Sequence, residues 1–165
     1  EVLNLLNSFK DSYIDKNTIP SLKSTFELEM FNTFRSYTSF KENRPSFLLN
    51  NIDERGSFSE FIRTEIGGQF SYSTTLPGFT RGNHFHTRKI ERFMVIVGEA
   101  KICLRKTGTD QVHEYYLNGD KPSFVDMPIW YTHNITNIGA TPLITAFWIN
   151  EPYNSEDADT YFENV

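Results

Sequence analysis

The run Gly82-Asn83-His84-Phe85-His86, followed by Glu91 and closed by Gly98, restricts what this chain can become more than any other stretch. His84 and His86 are two apart, so on a strand both imidazoles leave the same face and can converge on one point. Glu91 lies five beyond His86, and an odd offset would send it to the opposite face of an uninterrupted strand. The chain must therefore turn or bulge across Thr87-Arg88-Lys89-Ile90, whose polar content suits a turn. A second strand is expected from Glu91 through Val97 to Gly98. Far downstream, His133 in Pro128-Ile129-Trp130-Tyr131-Thr132-His133 supplies another imidazole in a β-rich context. Three imidazoles and a carboxylate make a ligand set suited to Zn²⁺, Fe²⁺, Mn²⁺ or Ni²⁺, with open positions for water or substrate.

The remaining chain reads as one domain with an N-terminal appendage, since 165 residues suffice for one full core and are short for two. Val2, Leu3, Leu5, Leu6, Phe9 and Tyr13 predict an amphipathic helix over 2–13, and Pro20 ends what precedes it. Leu22, Phe26, Met30 and Phe34 recur every four residues and predict a second helix from Ser21, with Phe31 and Tyr37 flanking its apolar stripe. That stripe needs a partner surface: the main domain, a second copy or an upstream domain. Pro45 is expected to begin the main domain, and Asp53-Glu54-Arg55-Gly56-Ser57 reads as a turn. In Gln69–Thr75, Gln69, Ser71 and Ser73 share one face and Phe70, Tyr72 and Thr74 the other, the pattern of a barrel strand beside a wet cavity. Further strands are expected over 100–105, 112–117, 123–126, 132–137 and 143–149, separated by Gly108, Asn118-Gly119 and Gly139. Residues 151–165 are acidic and read as a tail on the surface.

Several function classes are disfavoured. The net charge is −5 and the basic residues are scattered, so no nucleic-acid footprint is formed. The longest apolar runs are strand-length, giving no transmembrane helix or secretory leader. Cys103 is the single cysteine, which rules out an internal disulfide and suits a reducing cytoplasm; within Lys101-Ile102-Cys103-Leu104 it reads as a buried strand residue. His113 lies outside the histidine motifs and reads as a surface residue. The chain begins with Glu1 rather than Met, and it reads as a fragment of something longer.

The histidine stretch also carries a resemblance. Gly-x-His-x-His, four residues, Glu, six residues and Gly resembles the first cupin motif, and Pro128 with His133 and Asn137 resembles the second. With Asp53-Glu54-Arg55-Gly56-Ser57-Phe58-Ser59-Glu60, Gly68-Gln69-Phe70-Ser71, Pro77 through His84 and Trp148-Ile149-Asn150-Glu151, the chain resembles the C-terminal cupin domain of the bifunctional UDP-2-acetamido-2,6-β-L-arabino-hexul-4-ose reductases of capsular polysaccharide and O-antigen synthesis. Thr33-Phe34-Arg35-Ser36-Tyr37 is similar to that family's connecting helix. The resemblance implies an all-β fold, a double-stranded β-helix (jelly-roll barrel) with N-terminal helices. It also implies that residues 1–44 connect to a missing short-chain reductase domain and that residues 45–165 form the cupin domain.

The resemblance further implies that His84, His86, Glu91 and His133 hold Zn²⁺ or another divalent transition metal. The substrate implied is a UDP-4-keto-6-deoxy-N-acetylhexosamine, epimerised at C3 before a separate NAD(P)H-dependent domain reduces C4. The chemistry is consistent, because a cation against the carbonyl oxygen lowers the cost of removing the neighbouring proton. The related dTDP-4-dehydrorhamnose 3,5-epimerases use the histidine of Arg-Gly-x-His as a base without metal; this chain departs from them by adding His86 and Glu91. If His84 ligates, the base is open among Lys89, Tyr131 and a water on the metal. Tyr131 is the preferred acid or base, because it lies two residues before His133 and is expected to share its inward face, and it reads equally as a packed aromatic. Arg81 is a candidate clamp for the diphosphate, and Gln69, Ser71 and Asn83 for sugar hydroxyls. The aromatic content and the apolar helix face predict a homodimer. The competing expectation is a non-catalytic cupin that binds carbohydrate or mediates dimerisation. No G-x-G-x-x-G fingerprint occurs, so reduction is not expected of this chain alone.

Overall fold

Twelve short strands and two helices make up the computed structural model, which describes residues 1–38 and 47–165. Pro45, the expected start of the main domain, lies outside the described residues, as does the end of the expected connector. The helices are α1 (Val2–Phe9), continued by a π-helical turn over Lys10–Asp15, and α2 (Thr25–Ser36). The strands are β1 (Thr18–Ile19), β2 (Asn51–Asp53), β3 (Gly56–Thr64), β4 (Gln69–Thr75), β5 (Thr80–Phe85) and β6 (Glu91–Val97). They continue with β7 (Glu99–Lys106), β8 (Val112–Asn118), β9 (Phe124–Met127), β10 (Tyr131–Asn137), β11 (Leu143–Ile149) and β12 (Tyr161–Phe162).

These strands form two sheets. One runs β1-β3-β4-β11-β6-β9, with β2 paired to β3, and the other β12-β5-β10-β7-β8. Strands adjacent in sequence fall repeatedly in opposite sheets, β5 with β6 and β10 with β11, so the chain winds between two faces that enclose an interior. The apolar core fills one part of that interior: Val95, Ala100, Ile102, Leu104, Leu117, Met127, Ile135 and Leu143. Cys103 is buried in β7, and His113 is exposed on β8.

The interior wall of β4 is polar, as its alternation predicts. Gln69, Ser71, Ser73 and Thr75 are buried, whereas Phe70 and Tyr72 face outward. Opposite them in β11, Leu143, Thr145 and Phe147 pair with Thr75, Ser73 and Ser71 and continue this mixed surface.

A bulge in β5 sets the geometry of the histidine motif. His84 pairs with His133, but Gly82 pairs with Asn134, so Asn83 is the extra residue. Gly82 has φ 97° and Asn83 φ 60°. A Cβ on Gly82 would stand 2.7 Å from the His133 carbonyl oxygen, so only glycine permits this approach of β5 to β10. The bulge resets the alternation. Arg81 and His84, three apart, therefore both face the interior, while Asn83 turns to pair with Asn134.

The N-terminal segment docks onto β3. β1 pairs in parallel with Arg63 and Thr64, Ser12 Oγ donates to Glu65, and the Ser21 N–H donates to the same carboxylate at 2.9 Å. The first helix outruns the expected 2–13, because the π-helical turn carries it to Asp15. The second starts later than Ser21. Ser24 caps it by accepting from the Glu27 N–H at 3.2 Å, which leaves Leu22 outside. Its buried residue is Phe31, ringed by Phe9 at 5.1 Å and Tyr13 at 5.3 Å, whereas Phe26 of the expected stripe is 53% exposed. The stripe shifts because Phe9 of α1, rather than the barrel, supplies the surface against which α2 packs.

Residues 151–165 lie on the surface, mostly exposed, and are anchored there. β12 pairs with β5 at Phe85 and His84, Asp159 is buried, and Arg105 donates to the Asn164 carbonyl at 2.6 Å. Backbone pairing and one buried carboxylate fix the expected surface tail in place.

Candidate metal centre

Three strands bring four donors together. His84 comes from β5, His133 from β10 beside it, and Glu91 from the first residue of β6 in the facing sheet. His86 follows β5, where the chain turns through Thr87–Ile90 before β6, as the odd offset requires. The imidazole centroids are 4.6 Å apart for His84 and His133, 5.0 Å for His84 and His86, and 5.6 Å for His86 and His133. One donor atom from each of the four residues lies within 4.8 Å of every other. Bonds of ~2.0–2.2 Å to a shared ion hold donors roughly 3–4 Å apart, which is near the scale of this cluster.

The donor chemistry fits a divalent ion. His86 Nε2, His133 Nε2 and Glu91 Oε2 are buried without an aligned hydrogen bond. The two nitrogens stand 3.5 and 2.9 Å from that oxygen, close enough for attraction but with no geometry that satisfies them. The opposite ring nitrogens are already committed: His133 Nδ1 lies 3.1 Å from the Tyr131 carbonyl, and His86 Nδ1 is bonded to the Asp159 carbonyl. A carbonyl can only accept, so both Nδ1 atoms donate, and in the neutral rings both Nε2 lone pairs face the cluster.

Electrostatics prepares the same set. Burial, reinforced by the neighbouring His133, pushes His84 down to about 4, so its ring is neutral at pH 7 and its lone pair is free. Burial opposes ionisation of Glu91, but the imidazoles of His133 and His86 outweigh it and hold the carboxyl well below its usual range. For His86, burial lowers the value, but the Glu91 carboxylate and the Asp159 contacts together raise it by more, so this ring holds a proton more firmly than a free imidazole and metal binding competes with that proton.

The cluster lies in a cleft of about 1390 Å³, whose walls include Arg81, Lys89, Gln69, Phe93 and Phe147. Phe93 and Phe147 stack at 5.1 Å, and Phe93 meets His133 in a T-shaped contact at 6.1 Å. Tyr13 and Lys16 of the N-terminal segment complete the wall, so helices and barrel share one opening.

Arg81 is half-buried in this cleft. Its guanidinium donates to Thr75 Oγ1 at 3.1 Å and to the Thr74 carbonyl at 3.2 Å, with Asp53 at 3.5 Å. Lys89 is 1% exposed, and its Nζ donates to the Ala158 carbonyl at 2.7 Å. Gln69 reaches the cleft, but its amide donates to Ser71 at 3.0 Å and accepts from the Tyr153 N–H at 2.8 Å.

Three expected site residues are not brought to the cleft wall. Ser71 is fully buried behind Gln69. Asn83 is rotated away by the bulge and accepts from Asn134 at 2.9 Å. Tyr131 packs against the apolar core, so sharing a face with His133 puts it inside the barrel rather than in the opening. One organising residue escaped the sequence reading: Asp159, which grips the ligand loop from 73 positions beyond His86. Nothing local distinguishes it from the other acidic residues around it.

A family profile described as polysaccharide biosynthesis C-terminal domain matches residues 51–161. The UDP-2-acetamido-2,6-beta-L-arabino-hexul-4-ose reductase of Pseudomonas aeruginosa is 41% identical over 109 residues, covering 66% of this chain and 29% of its own length. The crystal structure of the capsular polysaccharide assembling protein CapF from Staphylococcus aureus superposes with a TM-score of 0.88 at 43% identity, over 99% of this chain and 44% of that one. An oxalate decarboxylase of Bacillus subtilis, 16% identical, superposes with a TM-score of 0.58 over 70% of this chain and 30% of its own, which identifies the barrel as a cupin. The chain thus spans less than half the length of the first two proteins.

Proposed function

Because the chain belongs to the polysaccharide biosynthesis C-terminal domain family, we propose that it is a metal-dependent cupin domain that epimerises C3 of a UDP-4-keto-6-deoxy-N-acetylhexosamine. Reduction at C4 follows on a separate NAD(P)H-dependent domain. The P. aeruginosa relative is named as a reductase of such a 4-ulose, and this chain corresponds to 29% of it. Residues 1–44 serve as the connector to the reductase, residues 45–165 as the cupin domain, and the assembly works in the cytoplasm as a homodimer.

The observation that carries this reading is the convergence of three buried, unsatisfied donors with a fourth, neutral imidazole. His84, His86, Glu91 and His133 would hold the ion, and Zn²⁺ suits mixed imidazole and carboxylate donors. When bound, the ion supplies Lewis acidity toward the 4-keto oxygen, which makes the C3 proton easier to remove. Arg81, already oriented by Thr74 and Thr75, holds the diphosphate. Lys89 Nζ, enclosed at the cleft wall with one carbonyl partner, exchanges a proton with the substrate. His84 acts as a ligand and not as the base, since one lone pair cannot do both. Tyr131 serves to pack the barrel.

The test is deuterium wash-in at C3, measured with the chain before and after metal removal, alongside elemental analysis. Close to one transition-metal ion per chain is expected, with exchange lost on chelation and restored on reloading. His84→Ala lowers metal content and exchange together, and Lys89→Met retains metal while exchange falls ~10²–10⁴-fold. Exchange retained in the metal-free protein overturns the metal-assisted mechanism but leaves the epimerase standing. A loaded protein without any exchange favours a binding module.

A further inference from the structure

The C-terminal segment meets the ligand loop at one residue. Asp159 is 5% exposed and holds a left-handed backbone, φ 46°. Its Oδ1 accepts from the Thr87 N–H at 3.1 Å and from Thr87 Oγ1 at 2.6 Å, and its Oδ2 accepts from the Arg88 and Lys89 N–H groups, each at 3.0 Å. Its main-chain carbonyl accepts from His86 Nδ1, and the carbonyl of Ala158 beside it accepts from Lys89 Nζ at 2.7 Å.

We propose that Asp159 is a positioning residue of the metal centre, which sets the tautomer and rotation of His86 and holds Lys89 in place through a single clasp. The inference rests on the metal-centre reading above. The loop over Thr87–Lys89 has no strand partner, so three consecutive N–H groups would lack an acceptor without this carboxylate. Its ionised oxygens make charge-assisted bonds to them, which fix the loop more firmly than a neutral acceptor would. Once the loop and Asp159 are locked together, the Asp159 carbonyl stands where His86 Nδ1 must donate, and Nε2 faces the cluster.

A merely surface tether can be told apart from this clasp. Arg88 in the same loop pairs with Asp157 at 2.7 Å and Glu151 at 3.0 Å, but these groups are exposed and touch neither His86 nor Lys89. If electrostatic tethering of the tail were what mattered, losing Arg88 would have the larger effect.

The experiment compares the intact chain with Asp159→Asn and Arg88→Ala. Asparagine tolerates the left-handed backbone and keeps the size, while its amide nitrogen cannot accept from one of the two donor pairs. Zn²⁺ affinity is read by competition with a chromogenic chelator. The His86 tautomer is read from long-range ¹H–¹⁵N spectra of the metal-free protein at about pH 8.5, where free imidazoles are neutral. Asp159→Asn is expected to weaken Zn²⁺ binding ~10–100-fold and to replace the pure Nδ1–H pattern of His86 with a mixed one. Arg88→Ala is expected to change affinity less than about threefold. Wild-type affinity with a wild-type tautomer pattern in Asp159→Asn overturns the inference. So does weaker binding that only follows a lower melting temperature while the tautomer is unchanged. Should the parent chain bind no Zn²⁺, the metal reading fails, and the tautomer pattern alone decides the role of Asp159.

Discussion

The two parts of the barrel interior are held together by different physics. Around Ile102, Leu143 and Val95 the sheets meet through close-packed apolar side chains, and this packing depends on neither pH nor a ligand. Around His133 and Glu91 the same two sheets meet through donors that, with His86 beside them, lack aligned hydrogen bonds to one another. A fold can leave such groups under-satisfied only where packing elsewhere sustains the scaffold. The apolar part therefore provides stability, and the polar part provides a site that is costly to keep empty.

The sharpest test of this division is Ile102→Ala. Ile102 is fully buried, and its truncation should cost ~2–5 kcal/mol in denaturant unfolding, by the same amount with and without metal. A cost that depends on metal would show that the two parts are not independent.

Of the two parts of the interior, acidification should strike the polar one. His84 resists protonation down to about 4 when folded, against 6.5 for a free imidazole. Below 6.5 the unfolded chain takes up a proton that the folded chain refuses, so stability is lost as pH falls and the loss is complete near pH 4. For the metal-free protein this amounts to about 3 kcal/mol at most, measured by denaturant titration across that window. His86, whose value is raised, works in the opposite sense: its contribution is present below 6.5 and lost as pH rises through its folded value. His84→Ala should flatten the acid slope, and an unchanged slope would assign it to another group.

A smaller effect is expected from Gly82→Ala, at the seam between strand geometry and ligand geometry. With φ 97° and a Cβ contact of 2.7 Å, alanine must push β5 from β10, at ~1–3 kcal/mol. The loss should be larger for the loaded protein, because His84 and His133 face each other across this approach. Least affected should be Arg92→Ala, on the outer surface, where the guanidinium pairs with an exposed Asp126 at 2.7 Å. Neither the melting curve nor metal content should move measurably.

Much of this was legible in the residues themselves. The two-residue spacing of His84 and His86, the odd offset to Glu91 and the polar run between them required a strand, a turn and a strand, because side-chain direction along a strand alternates strictly. The alternation of Gln69–Thr75 likewise announced a polar interior wall. These are short-range rules, and they held. What escaped depended on distant partners. Nothing local could show that Asn83 would be a bulged residue turned from the cleft, since that follows from how β5 registers against β10, some fifty residues later. Tyr131 obeyed the alternation yet faced the apolar core, because which part of an interior is wet is decided by the residues that other strands bring to it. The acidic composition of 151–165 concealed Asp159, whose carboxylate acquires its meaning only when the chain returns to three N–H groups of the ligand loop. Sequence alone determined the four candidate donors and the strand grammar that presents them; tertiary structure decided which neighbours reach the cleft, because register and chain return join groups that no local pattern connects.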